Sequence, residues 1–189
     1  MKQLLAVALF IVLTVFHSST AHAISAEEWF LKGNTLSQKG QFDEAIAAYD
    51  KSIKLNPSAT VVHINKGLAF KKKKNYEGAR LSFEKAVELE PQNMEARFLL
   101  GNAYNFLERW EDAIAQLNIV VHRIQNDAEA HGNLGWAFFN YDKQPPFKLL
   151  TLINLEKAVE LFEEQNLKEA AASTKDLLAE ARRRFNYKR

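Results

Sequence analysis

The chain has 189 residues, 25 basic against 23 acidic side chains, and no cysteine. That length suits one domain with a sizeable core, and near-balanced charge removes any overall pull toward nucleic acid or membrane. The lack of cysteine excludes a disulfide framework, a zinc–thiolate site and a thiol nucleophile.

Residues 1–23 read apart from the rest. Lys2 is a positive start, Leu4–Phe16 is an apolar run broken only by Thr14, and Ala21-His22-Ala23 is a small-x-small ending. This is the layout of a secretory signal peptide. At ~1.5 Å per residue the run falls short of a bilayer core of about 30 Å. Cleavage is expected after Ala23, with export to a bacterial periplasm; the alternative is a membrane tether formed by the uncleaved segment. Ser25 and Glu28 then form a capping-box pattern, and Ile24 and Trp29 stand at hydrophobic-staple positions, so a helix is predicted to start at once.

From here compact residues recur every 34 positions: Gly33, Gly67, Gly101 and Gly135; Ala45, Ala79 and Ala113; Ser52, Ala86 and Val120. A fixed period of this length is the signature of a stacked array. Small residues at fixed points let two helices approach closely. The units are read as 26–59, 60–93, 94–127 and 128–165. Gly40-Gln41-Phe42 is the inter-helix turn of the first, and Asp127 is placed to cap the helix that opens the fourth. The fourth unit departs from the pattern. Pro145-Pro146 interrupts the helix, and the run Leu155–Leu161 echoes Phe83–Leu89 at an offset of 72 instead of 68. About four residues are therefore inserted near 142–147. Asn166 and Glu169 suggest another capping box. Leu167, Ala170, Ala171, Thr174, Leu178, Ala181 and Phe185 recur at helical spacing, so 166–189 is predicted to be a terminal cap with a basic tail.

In the unit 60–93, Gly67, Phe70, Ala79, Phe83, Ala86 and Pro91 occupy signature positions of the tetratricopeptide repeat, with His63 and Lys66 departing. The unit resembles that 34-residue helix–turn–helix module, and the resemblance runs from Ala26 to about Leu161. It implies an all-α, right-handed helical-hairpin solenoid of about four tetratricopeptide repeats with a C-terminal capping helix.

Catalysis has little to stand on. His63 and His131 are equivalent positions two units apart, which makes them packing or rim residues. No two histidines are three or four apart, and the periodic glycines follow the repeat rather than forming a phosphate cradle. No enzyme activity, cofactor or metal is expected. The resemblance implies binding of a protein or peptide in a concave groove lined by the first helix of each unit. Its expected residues are Phe30, Asn34, Asn65, Phe98, Asn102, Asn105, Phe106, Asn133, Trp136 and Phe139. Asparagine amides both donate and accept, and aromatics bring a large contact area. Phe98 and Phe139 have a competing role in the inter-repeat core, and the groove asparagines are expected to be solvated and nearly neutral for the fold.

Repeats of this family that grip a chaperone's C-terminal carboxylate use a cationic clamp. This chain has Phe30, Glu95 and Leu99 at three of those positions, so such a tail is not implied. Two basic clusters remain, Lys71, Lys72, Lys73 and Lys74, and Arg182, Arg183 and Arg184 with Lys188 and Arg189. They read as solvated helix ends or as contacts for an anionic surface, including peripheral contact with a membrane. Nucleic acid is not expected as a partner. The reading is a non-catalytic scaffold for assembly or maturation of an envelope complex; the alternative is an adaptor docked on anionic lipid or polymer.

Overall fold

The structure, a computed structural model, describes residues 24–141 and 145–187. The signal segment with its cleavage residue Ala23, residues 142–144 of the insertion, and Lys188 and Arg189 lie outside the described residues. Among the described residues are nine helices. They are α1 (Ala26–Gln38), α2 (Phe42–Leu55), α3 (Thr60–Lys72), α4 (Tyr76–Leu89), α5 (Met94–Phe106), α6 (Trp110–Arg123), α7 (Ala128–Tyr141), α8 (Pro145–Glu164) and α9 (Lys168–Arg184). Each packs mainly on the helix before and after it, which is the connectivity of a helical-hairpin solenoid.

The periodic glycines hold each hairpin together by what they lack. A Cβ built on Gly33 would lie 2.5 Å from Tyr49, one on Gly67 2.5 Å from Phe83, and one on Gly101 2.6 Å from Leu117. The second helix thus seats a large side chain against bare backbone of the first. Tyr49, Phe83 and Leu117 are almost wholly buried as a result. Ser52 departs from alanine to good effect, because its hydroxyl donates to the Ala26 carbonyl at 2.7 Å and ties α2 to the start of α1.

The turns of the first three hairpins close the same way. The amides of Gln41, Asn75 and Arg109 donate back to the carbonyls of Leu36, Phe70 and Tyr104 at 2.9–3.0 Å. This is the six-to-one bond of a Schellman ending, and it needs a left-handed residue just before the donor. Gly40 fills that role at φ 76°, but Lys74 and Glu108 fill it at φ 60° and 57°.

The same turn corrects the start of α9. Asn166 has φ 58° and the Leu167 amide donates to Phe162 O at 2.8 Å. Asn166 is therefore the left-handed residue that ends α8, and no side chain caps α9 at its N-cap, Leu167. The expected box with Glu169 does not form, because an N-cap residue needs extended backbone. By contrast the Ser25–Glu28 box is present in both directions, at 3.1 and 2.7 Å. Asp127 accepts from the Ala130 amide at 2.9 Å, capping α7 as expected.

Junctions between units are fastened by one recurring position. Nε2 of His63 donates to Pro57 O at 3.1 Å, Nε of Arg97 to Pro91 O at 2.8 Å, and Nε2 of His131 to Gln125 O at 3.1 Å. Two histidines and an arginine reach the carbonyl six residues back, so His63 and His131 help to join successive units.

The insertion lengthens α8, which has 20 residues against 14 in α2, α4 and α6. Pro145 opens it, and proline is tolerated in a first turn, where no intrahelical donor is needed. Leu155 still seats on Gly135, and Leu178 and Ala181 of α9 close over Leu152, Leu155 and Val159. The cap covers the last hairpin with its apolar face.

Candidate peptide groove

The expected groove residues part into two groups. In the first unit the groove is largely filled. Oδ1 of Asn34 accepts from the Tyr49 hydroxyl at 2.8 Å and from Nδ2 of Asn65 at 2.9 Å. Asn34 and Asn65 thus tie α1, α2 and α3 together, and Asn34 is not the solvated side chain expected of it. Phe30 is half-buried with its ring 6.2 Å from Tyr49, and Ile64 is buried. Phe98 is half-buried against the central core.

Phe139 is a correction. It is 4% exposed, with Phe185 of α9 at 6.0 Å and the Arg184 guanidinium 4.6 Å over its ring. The cap that closes the last hairpin covers this position, so it belongs to the core.

The remaining residues converge. Asn102, Asn105, Phe106, Asn133 and Trp136 line one cavity of about 420 Å³ together with Lys71. Asn102 and Asn105 are each 8% exposed, one helical turn apart on α5. Nδ2 of Asn105 donates to the backbone oxygen of Asn133 at 3.0 Å, which fixes the amide's orientation. The Oδ1 atoms of both residues have no hydrogen-bond partner. Leaving a buried acceptor unpaired costs about 1–3 kcal/mol, so two side by side are a standing cost of this surface.

Exposed aromatics flank these amides. Phe106, 54% exposed, stacks on Tyr76 at 4.3 Å and 4°. Trp136, 39% exposed, meets Trp110 edge-on at 6.4 Å. Phe106 is thus braced by Tyr76, and Trp136 by Trp110 and by Phe139 stacked at 6.2 Å, while both keep exposed surface. Beyond Trp136 a second cavity of about 430 Å³ continues toward α9; it shares Asn133 and Trp136 with the first and adds Gly132 and Ser173. From α9 come Ser173, Thr174 and Leu177, of which only Thr174 belongs to the stripe read from the sequence.

The basic clusters are partly engaged. Lys71 lines the first cavity and Lys73 pairs with Asp43. Arg182 pairs with Glu156 at 2.8 Å, and Arg184 donates to the Phe139 carbonyl at 3.3 Å. Lys72, Lys74 and Arg183 are exposed.

Two displaced ionisations lie where side chains pack between helices. Burial pushes the Tyr104 phenol up to about 12, reinforced by its bond to Glu84 at 2.5 Å. Burial also holds His63 below the usual imidazole value, against the bond to Pro57. Among the described residues no cluster of three or more His, Cys, Asp or Glu side chains is placed to hold a metal ion. No described helix is long and apolar enough to cross a membrane.

Two tetratricopeptide repeat family models match the chain, over residues 26–59 and 70–135. A search of curated protein sequences finds no match. Among solved structures, the chain is similar to the first TPR domain of Spaghetti (RPAP3) bound to the HSP90 peptide SRMEEVD. That likeness has 27% identity and a TM-score of 0.57, covering 60% of this chain and 90% of the other. MamA of Desulfovibrio magneticus RS-1 aligns at 19% identity and TM-score 0.67, covering 84% and 95% of the two chains. YrrB, a TPR protein with an unusual peptide-binding site, aligns at 22% and 0.63, covering 86% and 89%. Period, hairpin geometry, family models and structural likeness agree: the chain belongs to the tetratricopeptide repeat family.

Proposed function

We propose that this protein is a non-catalytic interaction scaffold that holds an extended segment of a partner protein across α5 and α7. One observation carries the reading. Two adjacent buried amide oxygens, on Asn102 and Asn105, lack donors beneath a cavity walled by braced, exposed aromatics. A peptide backbone supplies N–H donors to such oxygens, and its side chains cover Phe106 and Trp136. The likeness to a tetratricopeptide domain that holds an HSP90 peptide supports a peptide as the occupant. The HSP90 tail itself is not proposed, because Phe30, Glu95 and Leu99 stand where the resemblance calls for cations.

Export and a place in assembly or maturation of an envelope complex belong to the same proposal, supported by the signal-peptide layout of residues 1–23. The adaptor reading has less behind it, since Lys73, Arg182 and Arg184 are engaged within the fold.

The test is selection of a displayed random 12-residue peptide library on the full chain, followed by titration of the selected peptides. Binding should weaken at least tenfold in Trp136→Ala, as for a buried aromatic anchor. If charge reversal of Lys72 and Lys74 abolishes capture while Trp136→Ala leaves it intact, the groove reading is wrong.

A further inference from the structure

Gly132 stands on α7 where the other first helices carry Phe30, Ile64 and Phe98. It is unlike the periodic glycines. A Cβ added to it would meet Ala158 Cβ at 3.7 Å and Phe162 Cε2 at 3.8 Å, which is ordinary contact. Its φ is not positive, so neither the backbone nor helix packing requires glycine there. A glycine inside a helix nonetheless weakens it relative to alanine. What the missing side chain leaves is the cavity of about 430 Å³ at the α9 end of the groove.

The lining of that cavity has a definite chemistry. Leu155 and Phe162 give it an apolar floor, Trp136 an aromatic wall, and Ser173 a hydroxyl from α9. Glu129 supplies a carboxylate, and no lysine, arginine or histidine lines it. Among the described residues Glu129 enters no ion pair.

We propose that this cavity is a specificity pocket for one basic side chain, lysine or arginine, of the partner segment. This rests on the groove reading above and adds to it both a residue class and a direction. The alkyl stem lies on Leu155 and Phe162, the cationic head meets the face of Trp136 and the carboxylate of Glu129. An acidic side chain would oppose Glu129, and a purely apolar one would cover that carboxylate without pairing it. Trp136 lines both cavities, and the one beyond it carries Lys71, so the two ends of the groove differ in charge. A segment crossing Trp136 is therefore bound in one sense, with its basic residue at the α9 end.

Small probes test the pocket without any partner. N-acetyl-lysine methylamide, N-acetyl-arginine methylamide, and the norleucine and glutamate analogues are titrated into the full chain while amide and indole NMR shifts are followed. The two basic probes should move the Gly132 amide and the Trp136 indole, and the norleucine and glutamate probes should do so far less. Glu129→Gln should weaken the basic probes about fivefold, as for an exposed ion pair. Gly132→Phe, matching what the third unit carries as Phe98, should abolish the shifts, while Gly132→Ala should retain them. Norleucine binding as well as lysine, no probe moving either signal, or shifts unchanged in Gly132→Phe would each overturn the pocket. The displayed library separates this failure from that of the groove. Peptides that depend on Trp136 but show no lysine or arginine preference sink the pocket and leave the groove standing; no selected peptide at all sinks the groove.

Discussion

Gly135 on α7 and Leu155 on α8 are twenty residues apart, yet they meet as Gly33 meets Tyr49 and Gly67 meets Phe83 at sixteen. A Cβ on Gly135 would lie 2.7 Å from Cδ2 of Leu155. The insertion has thus been absorbed without changing which residues face each other. Gly135→Ala should destabilise by about 1–3 kcal/mol through overpacking, despite the better helix propensity of alanine. Leu155→Ala alone should cost about 2–5 kcal/mol. In urea denaturation the double variant should lose clearly less than the sum, since each change relieves the other's clash or void. Additive losses would mean the two residues do not share this contact.

The asparagines of the groove should respond in opposite ways. Asn34→Ala strips the acceptor from the buried Tyr49 hydroxyl and from Asn65, and should destabilise by about 1–3 kcal/mol. Asn102→Leu replaces a buried, unpartnered amide oxygen by hydrocarbon and should be neutral or raise the melting temperature. The same change should abolish capture of selected peptides, a trade of function for stability. A loss of stability in Asn102→Leu equal to that in Asn34→Ala would show that Asn102 has a structural role.

Acid should weaken the fold through His63. Burial holds its folded value below the ordinary 6.5, so below that pH the unfolded chain takes up a proton that the folded chain resists. The stabilisation is complete above pH 6.5 and lost as pH falls through the depressed folded value. Melting temperature should therefore decline on acidification from pH 6.5. His63→Gln, which keeps a donor for Pro57 O but cannot titrate, should flatten that limb. An unchanged acid limb would place the effect elsewhere.

Export is checked at the N-terminus. Protein recovered from its host should begin Ile24-Ser25-Ala26, with α1 starting two residues later. Full-length protein in the cytoplasm would remove the export proposal.

The period, the fold class and the location of the hairpins were legible in the sequence because they follow from local rules. Glycines 34 residues apart mark where helices must touch, and Ser25–Glu28 and Asp127 mark where they begin. The 72-residue offset of Leu155 was enough to keep the fourth unit in register. What the pattern could not decide was the fate of side chains whose surroundings come from another helix. Asn34 and Asn102 hold the same place in their units, yet one is spent on Tyr49 and Asn65 and the other is left without a donor. Phe139 reads as groove until α9 covers it, and Asn166 reads as a cap until the chain turns through it in the left-handed region. Periodicity reports the face on which a residue lies, whereas exposure and hydrogen bonding depend on what packs against that face. Only the tertiary structure supplies that, so the scaffold was determined by the sequence pattern and the site by the assembly of α5, α7 and α9.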